Sequence, residues 1–386
     1  MTGDSVRDAN AHVARMYDQA PWHPAEAPWL ELEWLLGVSR LFGCGQSVRD
    51  VLDIGSGAGG VISMIGGQVE GRLVGIDISS VSCELARTRL APFGERVAIH
   101  CADLASVEPD RLGRFDLIYV VGVYYVTPPA VQEKIAQIGK ACLNPGGLMV
   151  VSYYAGPSSL VRASIYRTLR AAVTLRDSWV ETARSARQAL DALQRAVETN
   201  ESTSALVRQA FETTRNLPDF TFYHEAFNPY FDAQQTTTVE RRFRDCGLQF
   251  LGYLQPTAAT REPSSETRAL AADRLDLEGG AYQLALFGRP VTSGPPDPAA
   301  AGIAWSCSLI RCETEENSFK SLAGGGRYSI LSPYTRAVID RLIVGPAGLA
   351  EAESDCGMTC QPGDAAQLNR DILDLWALGC VKPLAV

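Results

Sequence analysis

The sequence predicts an α/β fold in which a mainly parallel sheet carries helices on both faces. Three observations predict it. Five runs are apolar almost throughout rather than alternating, as strands buried on both faces require. Helical stretches lie between them, such as Val81 to Leu90 and Ala130 to Leu143. The first run, Val51-Leu52-Asp53-Ile54, opens into Gly55-Ser56-Gly57-Ala58-Gly59-Gly60 and then a helix at Val61 to Ile65, the pattern of a glycine-rich ligand loop.

Taken in order, each run adds something to that loop. Without a Cβ at Gly55, Gly57 and Gly59 the backbone turns sharply and comes close to a ligand, although the same pattern also serves as a plain tight connection. The second run, Arg72 to Ile78, contains Asp77, 24 residues after Asp53. A carboxylate there can accept both hydroxyls of a ribose, or it can cap the next helix. Val97 to Leu104 is the third strand and includes Asp103. Phe115 to Gly122 is the fourth, and Leu148 to Tyr154 is the fifth, entered through Asn144-Pro145-Gly146-Gly147. Ligands of such sheets sit at the carboxyl ends of the strands.

Over about residues 46 to 154 the pattern resembles class I S-adenosylmethionine-dependent methyltransferases. The acid at Asp53 before the glycines, the Phe115-Asp116-Leu117-Ile118 strand and the Pro145-Gly146-Gly147 turn carry the resemblance. It implies a Rossmann-like sheet of seven strands and S-adenosyl-L-methionine as cofactor. By the same resemblance Gly55, Ser56 and Gly57 pack against the methionine part, with Asp53 at the head of the loop. Asp77 holds the ribose, Ile78 contacts the adenine, and Asp103 with Leu104 binds its amino edge. Val121 and Gly122 lie beneath the sulfonium.

The flanking segments resemble one subgroup, methyltransferases that carry a methyltransferase regulatory domain, some of which are bacterial protein lysine methyltransferases. The resemblance runs over about residues 10 to 290. Its signs are Gly122-Val123-Tyr124-Tyr125-Val126, Ser152-Tyr153-Tyr154, a helical insert, His224-Glu225 and Asn228-Pro229-Tyr230-Phe231. Relatives tend to have serine and tryptophan where Tyr125 and Val126 stand, which weakens a lysine substrate. Upstream, Tyr17-Asp18 followed by Trp22 and two prolines looks like the N-terminal lid of relatives, in which the tyrosine approaches the cofactor. Residues 1–45 are thus expected to be a helical lid and 46–154 the cofactor core. Residues 155–232 form a helical cap, with Val180, Ala183, Ala186, Leu190, Leu193 and Val197 at helical spacing. Residues 233–290 should complete the sheet with a hairpin, 291–302 form a linker, and 303–386 form a small separate unit, α+β and winged-helix-like, for protein binding or dimerisation.

Composition narrows the function. A net charge of −9 argues against a nucleic-acid partner. No apolar run reaches membrane-spanning length and Met1 to Ser5 lacks a leader, so a soluble cytoplasmic protein is expected. Ten cysteines lie in ordinary strands and helices. Cys307, Cys312, Cys356 and Cys360 are spaced too loosely for a usual zinc site, and no metal is expected. Methyl transfer needs a nucleophile placed about 3 Å from the methyl carbon. The expected catalytic residues are His224 as a base, with His12 or His23 second, and Tyr125 and Tyr17 as orienting groups. The acceptor is expected to be N or O of a small metabolite or peptide. The alternatives are a protein lysine and a cofactor-binding regulator without activity, and a homodimer is possible.

Overall fold

The computed structural model describes residues 3–22, 32–45, 47–199, 203–254, 264–279, 282–290, 296–300, 303–311, 318–321, 327–330, 332–377 and 380–385. Two helices come first, α1 (Gly3–Gln19) and α2 (Leu32–Arg40). The parallel part of the sheet follows as β1 (Val51–Ile54), α3 (Gly60–Ile65), β2 (Leu73–Asp77), α4 (Ser80–Leu90), β3 (Val97–Cys101), β4 (Phe115–Val120), α5 (Pro129–Cys142) and β5 (Leu143–Tyr154). The cap is α6 (Pro157–Ala172), α7 (Trp179–Glu198), α8 (Ala205–Asn216) and α9 (Asp219–Phe227). The chain returns through α10 (Thr236–Asp245), β6 (Gln249–Tyr253), α11 (Ser265–Gly279) and β7 (Tyr282–Gly288). The seven strands run β3-β2-β1-β4-β5-β7-β6, and only β6 and β7 bring in antiparallel pairing.

Two sequence expectations change in detail. The Pro145-Gly146-Gly147 segment lies inside β5 as a bulge, because pairing slips between Phe115 and Leu117. The last two strands are not a tight hairpin, since α11 joins them.

Burial follows the strand pattern. Leu52, Ile54, Ile76, Ile118 and Val151 face the side covered by α5 and the cap, whereas Val51, Leu73, Leu117 and Val150 face the side of α2 and α3. Along α7 the apolar stripe buries Ala183, Ala186 and Leu190, while Val180 near its start stays exposed. Of the described cysteines, Cys44, Cys83, Cys142 and Cys380 are buried, and none is joined in a disulfide.

The C-terminal residues are less separate than the sequence suggests. They form β8 (Ile303–Cys307), β9 (Leu309–Arg311), β10 (Ser318–Ser321), β11 (Arg327–Ser329), α12 (Pro333–Val344), α13 (Leu349–Asp355), α14 (Asp364–Ala377) and β12 (Val381–Ala385). Strands β9 to β11 make an antiparallel sheet ahead of the helices, and β12 returns to pair with β8. Trp305, Ile339 and Trp376 share one buried cluster with Leu35 and Val38 of α2 and with Leu148 of the main sheet. Strand β12 lies so close to α2 that a Cβ at Gly37 would collide with the Pro383 carbonyl. Of the expected linker only 296–300 is described. It is pinned, because Asp297 N–H donates to Leu41 O at 2.8 Å and Trp305 Nε1–H to Pro298 O at 2.9 Å.

Candidate functional site

The first four strands are parallel, so the segments after β1 to β4 share one edge of the sheet. Of the cofactor residues expected from the sequence, those from Gly55 to Gly122 lie at or beside that edge, Asp53 stands within β1, and Tyr17 approaches from α1. After β1, Gly55 and Gly57 have φ of +73° and +50°, the region that favours glycine. A Cβ at Gly55 would strike Val123, and one at Gly57 would touch the Trp22 carbonyl at 3.6 Å. Backbone N–H groups of Gly55 and Ser56 donate to Ile76 O at 2.7 and 3.1 Å, tying the loop to β2.

Asp77 ends β2 and is a hub. Its carboxylate accepts Gly57 N–H at 2.8 Å on one oxygen and Ser79 N–H at 2.9 Å on the other. Burial raises its pKa, and these amides oppose the rise. It therefore shapes the glycine loop and keeps lone pairs for a ligand. Ile78 is half-buried just beyond it. Asp53, on β1, is 2% exposed, and burial together with the nearby Asp77 pushes its pKa up to about 7. Asp53 Oδ2, Ser56 Oγ and the Tyr119 hydroxyl are buried without hydrogen-bond partners, and such atoms ordinarily take water or a polar ligand.

The next two segments complete the edge. Asp103 caps the short turn at Leu104–Ser106 by accepting Ala105 N–H at 2.9 Å, and Leu104 is half-buried beside it. Val121 and Gly122 follow β4, with φ +80° at Gly122. The Gly122 N–H donates to Ser152 Oγ at 2.7 Å, and the Tyr282 hydroxyl donates to the same oxygen at 2.8 Å. A Cβ at Gly122 would meet nothing within 4 Å, so open space adjoins this turn. An open cradle and orphaned polar atoms fit a nucleotide-like cofactor held from Asp53 to Gly122.

Helix α1 closes the edge. Asp18 accepts the Ser79 hydroxyl at 2.7 Å and Val81 N–H at 3.2 Å, which caps α4 from another helix. Asn10 donates to Asp103 at 2.8 Å and accepts the Tyr230 hydroxyl at 3.3 Å. Tyr17 stacks on His224 with ring centroids 4.6 Å apart and planes at 18°. Burial, Asp77 and Glu225 push the Tyr17 phenol upward. Asp18 and Ser152 stand inside motifs that the sequence marks, but the bonds they and Asn10 make are not legible there, because a side chain acting across elements leaves no local spacing signal.

His224 corrects an expectation. It is 2% exposed, packed edge-on by Phe220 at 4.5 Å and by Trp22 at 5.5 Å, and neither ring nitrogen makes a well-formed hydrogen bond. Burial pushes its pKa down to about 4, with a weaker opposing pull from the Ala20 backbone. A ring of that basicity is neutral near pH 7 and a weak proton acceptor, and its face stacks on Tyr17. His12 on the lid is half-buried, and burial lowers its pKa too. His23 lies outside the described residues, as does Cys312 of the cysteine quartet. Among the described residues no cluster of three His, Cys, Asp or Glu could hold a metal.

Beside Gly122 an aromatic group gathers. Tyr125 meets Tyr154, Phe231 and Tyr282 edge-on at 4.9, 5.7 and 6.0 Å. Burial raises the Tyr125 phenol well above its ordinary value, with added pushes from Tyr154, Tyr282, Glu225 and Tyr17. No hydrogen bond forms at the Tyr125 hydroxyl among the described residues. Sequence reasoning missed Tyr282 and Glu225 as site residues. The signal for Tyr282 is its register opposite Tyr154, visible only once β5 and β7 are paired.

Comparison with known proteins agrees with this geometry. Residues 51–147 match the family model described as a methyltransferase domain. An uncharacterised protein, RP028, of Rickettsia prowazekii is 25% identical over 142 residues, 36% of this chain and 56% of that protein. A tRNA1(Val) (adenine(37)-N6)-methyltransferase of an Enterobacter species is 32% identical over 82 residues, 20% of this chain and 34% of that one. The matched part thus spans about half, or less, of these curated relatives. PKMT2 of Rickettsia typhi, solved alone, superposes with TM-score 0.70 and 18% identity over 94% of this chain and 77% of its own. Its complex with AdoHcy superposes with TM-score 0.70 and 16% identity, over 95% and 78%. Over residues 51–147 the chain therefore matches a methyltransferase domain, and the superpositions show the same fold over most of its length.

Proposed function

We propose that this protein transfers a methyl group to an amine nitrogen, carried by a small metabolite or a peptide. The observation that carries the reading is the convergence of Tyr17, Tyr125, Tyr154 and Tyr282 with the Glu225 carboxylate beside the open Gly122 turn. Aromatic faces attract cations, and an alkylammonium entering this group meets rings first and a carboxylate behind them. Simple core packing is the competing explanation for the rings. Against it stands the Tyr125 hydroxyl, since a core tyrosine that deeply placed ordinarily finds a partner.

S-adenosylmethionine, when bound, supplies an electrophilic methyl group on a sulfonium. The chain's share is positioning and exclusion of water. Asp77 and the glycine loop hold the nucleoside end, and Tyr17 with Trp22 closes the lid over it. The aromatic group aligns the nitrogen lone pair and, through burial, favours the neutral amine that can attack. As the N–C bond forms and the S–C bond breaks, the product is an alkylated ammonium whose surplus proton passes to water. No strong base is needed, which agrees with His224 at about 4.

A protein lysine is the second reading. It is favoured by the C-terminal strands and helices, which lie outside the methyltransferase sheet and add surface for a large substrate. Tritiated methyl transfer from S-adenosylmethionine into extracts fractionated by size tests both. Label in small molecules or peptides, recovered as N-methyl amine after hydrolysis, supports the first reading, and label in protein lysine the second. Label on oxygen or carbon overturns both.

A further inference from the structure

The cap buries a carboxylate for which the cofactor site alone gives no reason. Glu225 of α9 is 4% exposed and paired with Arg162 of α6, itself 4% exposed. The Tyr154 hydroxyl donates to Glu225 Oε1 at 2.6 Å and the Tyr166 hydroxyl to Oε2 at 2.8 Å. Arg162 also donates to the Tyr166 oxygen at 3.0 Å, and its guanidinium lies 4.6 Å from the Tyr154 ring centre. The groups that face Glu225 are therefore Arg162 and Tyr166 from α6 and Tyr154 from β5, with Tyr17, Tyr125 and Tyr282 close by.

An ionised carboxylate only accepts hydrogen bonds. Each tyrosine that donates to it has its single hydrogen committed and can present only an oxygen lone pair to anything else. Tyr154 is in that state, whereas the Tyr282 hydroxyl donates to Ser152 Oγ and bonds the Gly122 backbone. The Tyr154 hydroxyl beside Tyr125 thus offers an acceptor, and the pocket suits a group with N–H donors. A carboxylate, with no hydrogen to donate, would meet a lone pair there. The charge of Arg162 supplies what a carboxylate needs at this depth.

We propose that Glu225 is a positioning residue that sets the hydrogen-bond polarity of the acceptor pocket through Tyr154, selecting an alkyl amine over carboxylates. The inference rests on the amine reading above and adds the residues that enforce it. A purely structural staple between α6 and α9 is the alternative. A buried ion pair is a poor stabiliser compared with apolar side chains of similar size, so stability alone gives little reason for one here.

The test uses n-butylamine and butyrate as probes, with binding followed by NMR in the presence of S-adenosylhomocysteine. The wild type should prefer the amine, and Tyr154→Phe should reduce that preference about tenfold by removing one acceptor. Tyr154→Phe keeps the Arg162–Glu225 pair, so it separates polarity from folding. Glu225→Gln should act likewise, and the double variant should lose no more than Tyr154→Phe alone, because both act through one contact. No amine preference in the wild type, or a preference that Tyr154→Phe retains, overturns the inference. The amine reading fails separately, by label found off nitrogen in the transfer assay, whatever the probes do.

Discussion

Asp53 shows how a single residue ties the site to stability. Its folded pKa of about 7 lies above the ordinary value of 3.8, so between those pH values the folded state holds a proton that the unfolded state has lost. Stability contributed by this group therefore falls as pH rises from about 4 to about 7, each pKa unit being worth about 1.4 kcal/mol. Asp53→Asn should flatten that part of a urea-denaturation profile and raise stability at pH 7. An unchanged slope would remove Asp53 as its source. His224 runs the other way. Its folded pKa of about 4 lies below 6.5, so stability grows as pH rises between those values and is constant above them. His224→Phe should abolish the loss of stability between pH 6.5 and 4 and leave turnover at pH 7.5 within a few-fold of wild type. A fall of about 10²-fold or more would return the ring to the role of a base. The sequence offers His224 as a candidate base but gives no sign of its basicity, because burial by Tyr17, Trp22 and Phe220 is a tertiary fact.

At the scale of elements, the lid is held by contacts between helices. Asp18 of α1 caps α4 in the position a local residue would normally fill, although Ser79 also accepts Ser82 N–H at 3.0 Å. Asp18→Ala should cost about 1 kcal/mol of lid docking and weaken S-adenosylmethionine binding about fivefold in calorimetry, with Tm little changed. Unaltered affinity would mean that α1 does not close over the cofactor. The strands β1 to β5 were legible because parallel strands buried on both faces read as apolar runs, and Gly55 and Asp77 because a turn and a terminal acid have fixed spacing. Tyr282, Glu225 and Arg162 were not. Glu225 stands inside a helix and Tyr282 at a strand edge, and only the packing of the cap on β5 and β7 joins them. The bulge at Pro145 to Gly147 looks like a turn in the sequence because proline and glycine mark both.

For the whole molecule, the shared cluster of Trp305, Trp376, Leu35 and Leu148 argues that the C-terminal residues unfold together with the methyltransferase sheet. Gly37→Val should destabilise the protein by about 1–3 kcal/mol through its clash with Pro383, and scanning calorimetry should show one transition. Two separate transitions, with only the smaller one moved, would mean that the C-terminal unit is independent. The central claim concerns where the methyl group is delivered. It is tested most directly by a crystal structure with S-adenosylhomocysteine bound. The account predicts the ribose on Asp77, the sulfur beside Gly122, and Tyr125, Tyr154 and Tyr282 facing the vacant methyl position. A sulfur directed away from these tyrosines, or a cationic side chain standing in that position, would contradict it.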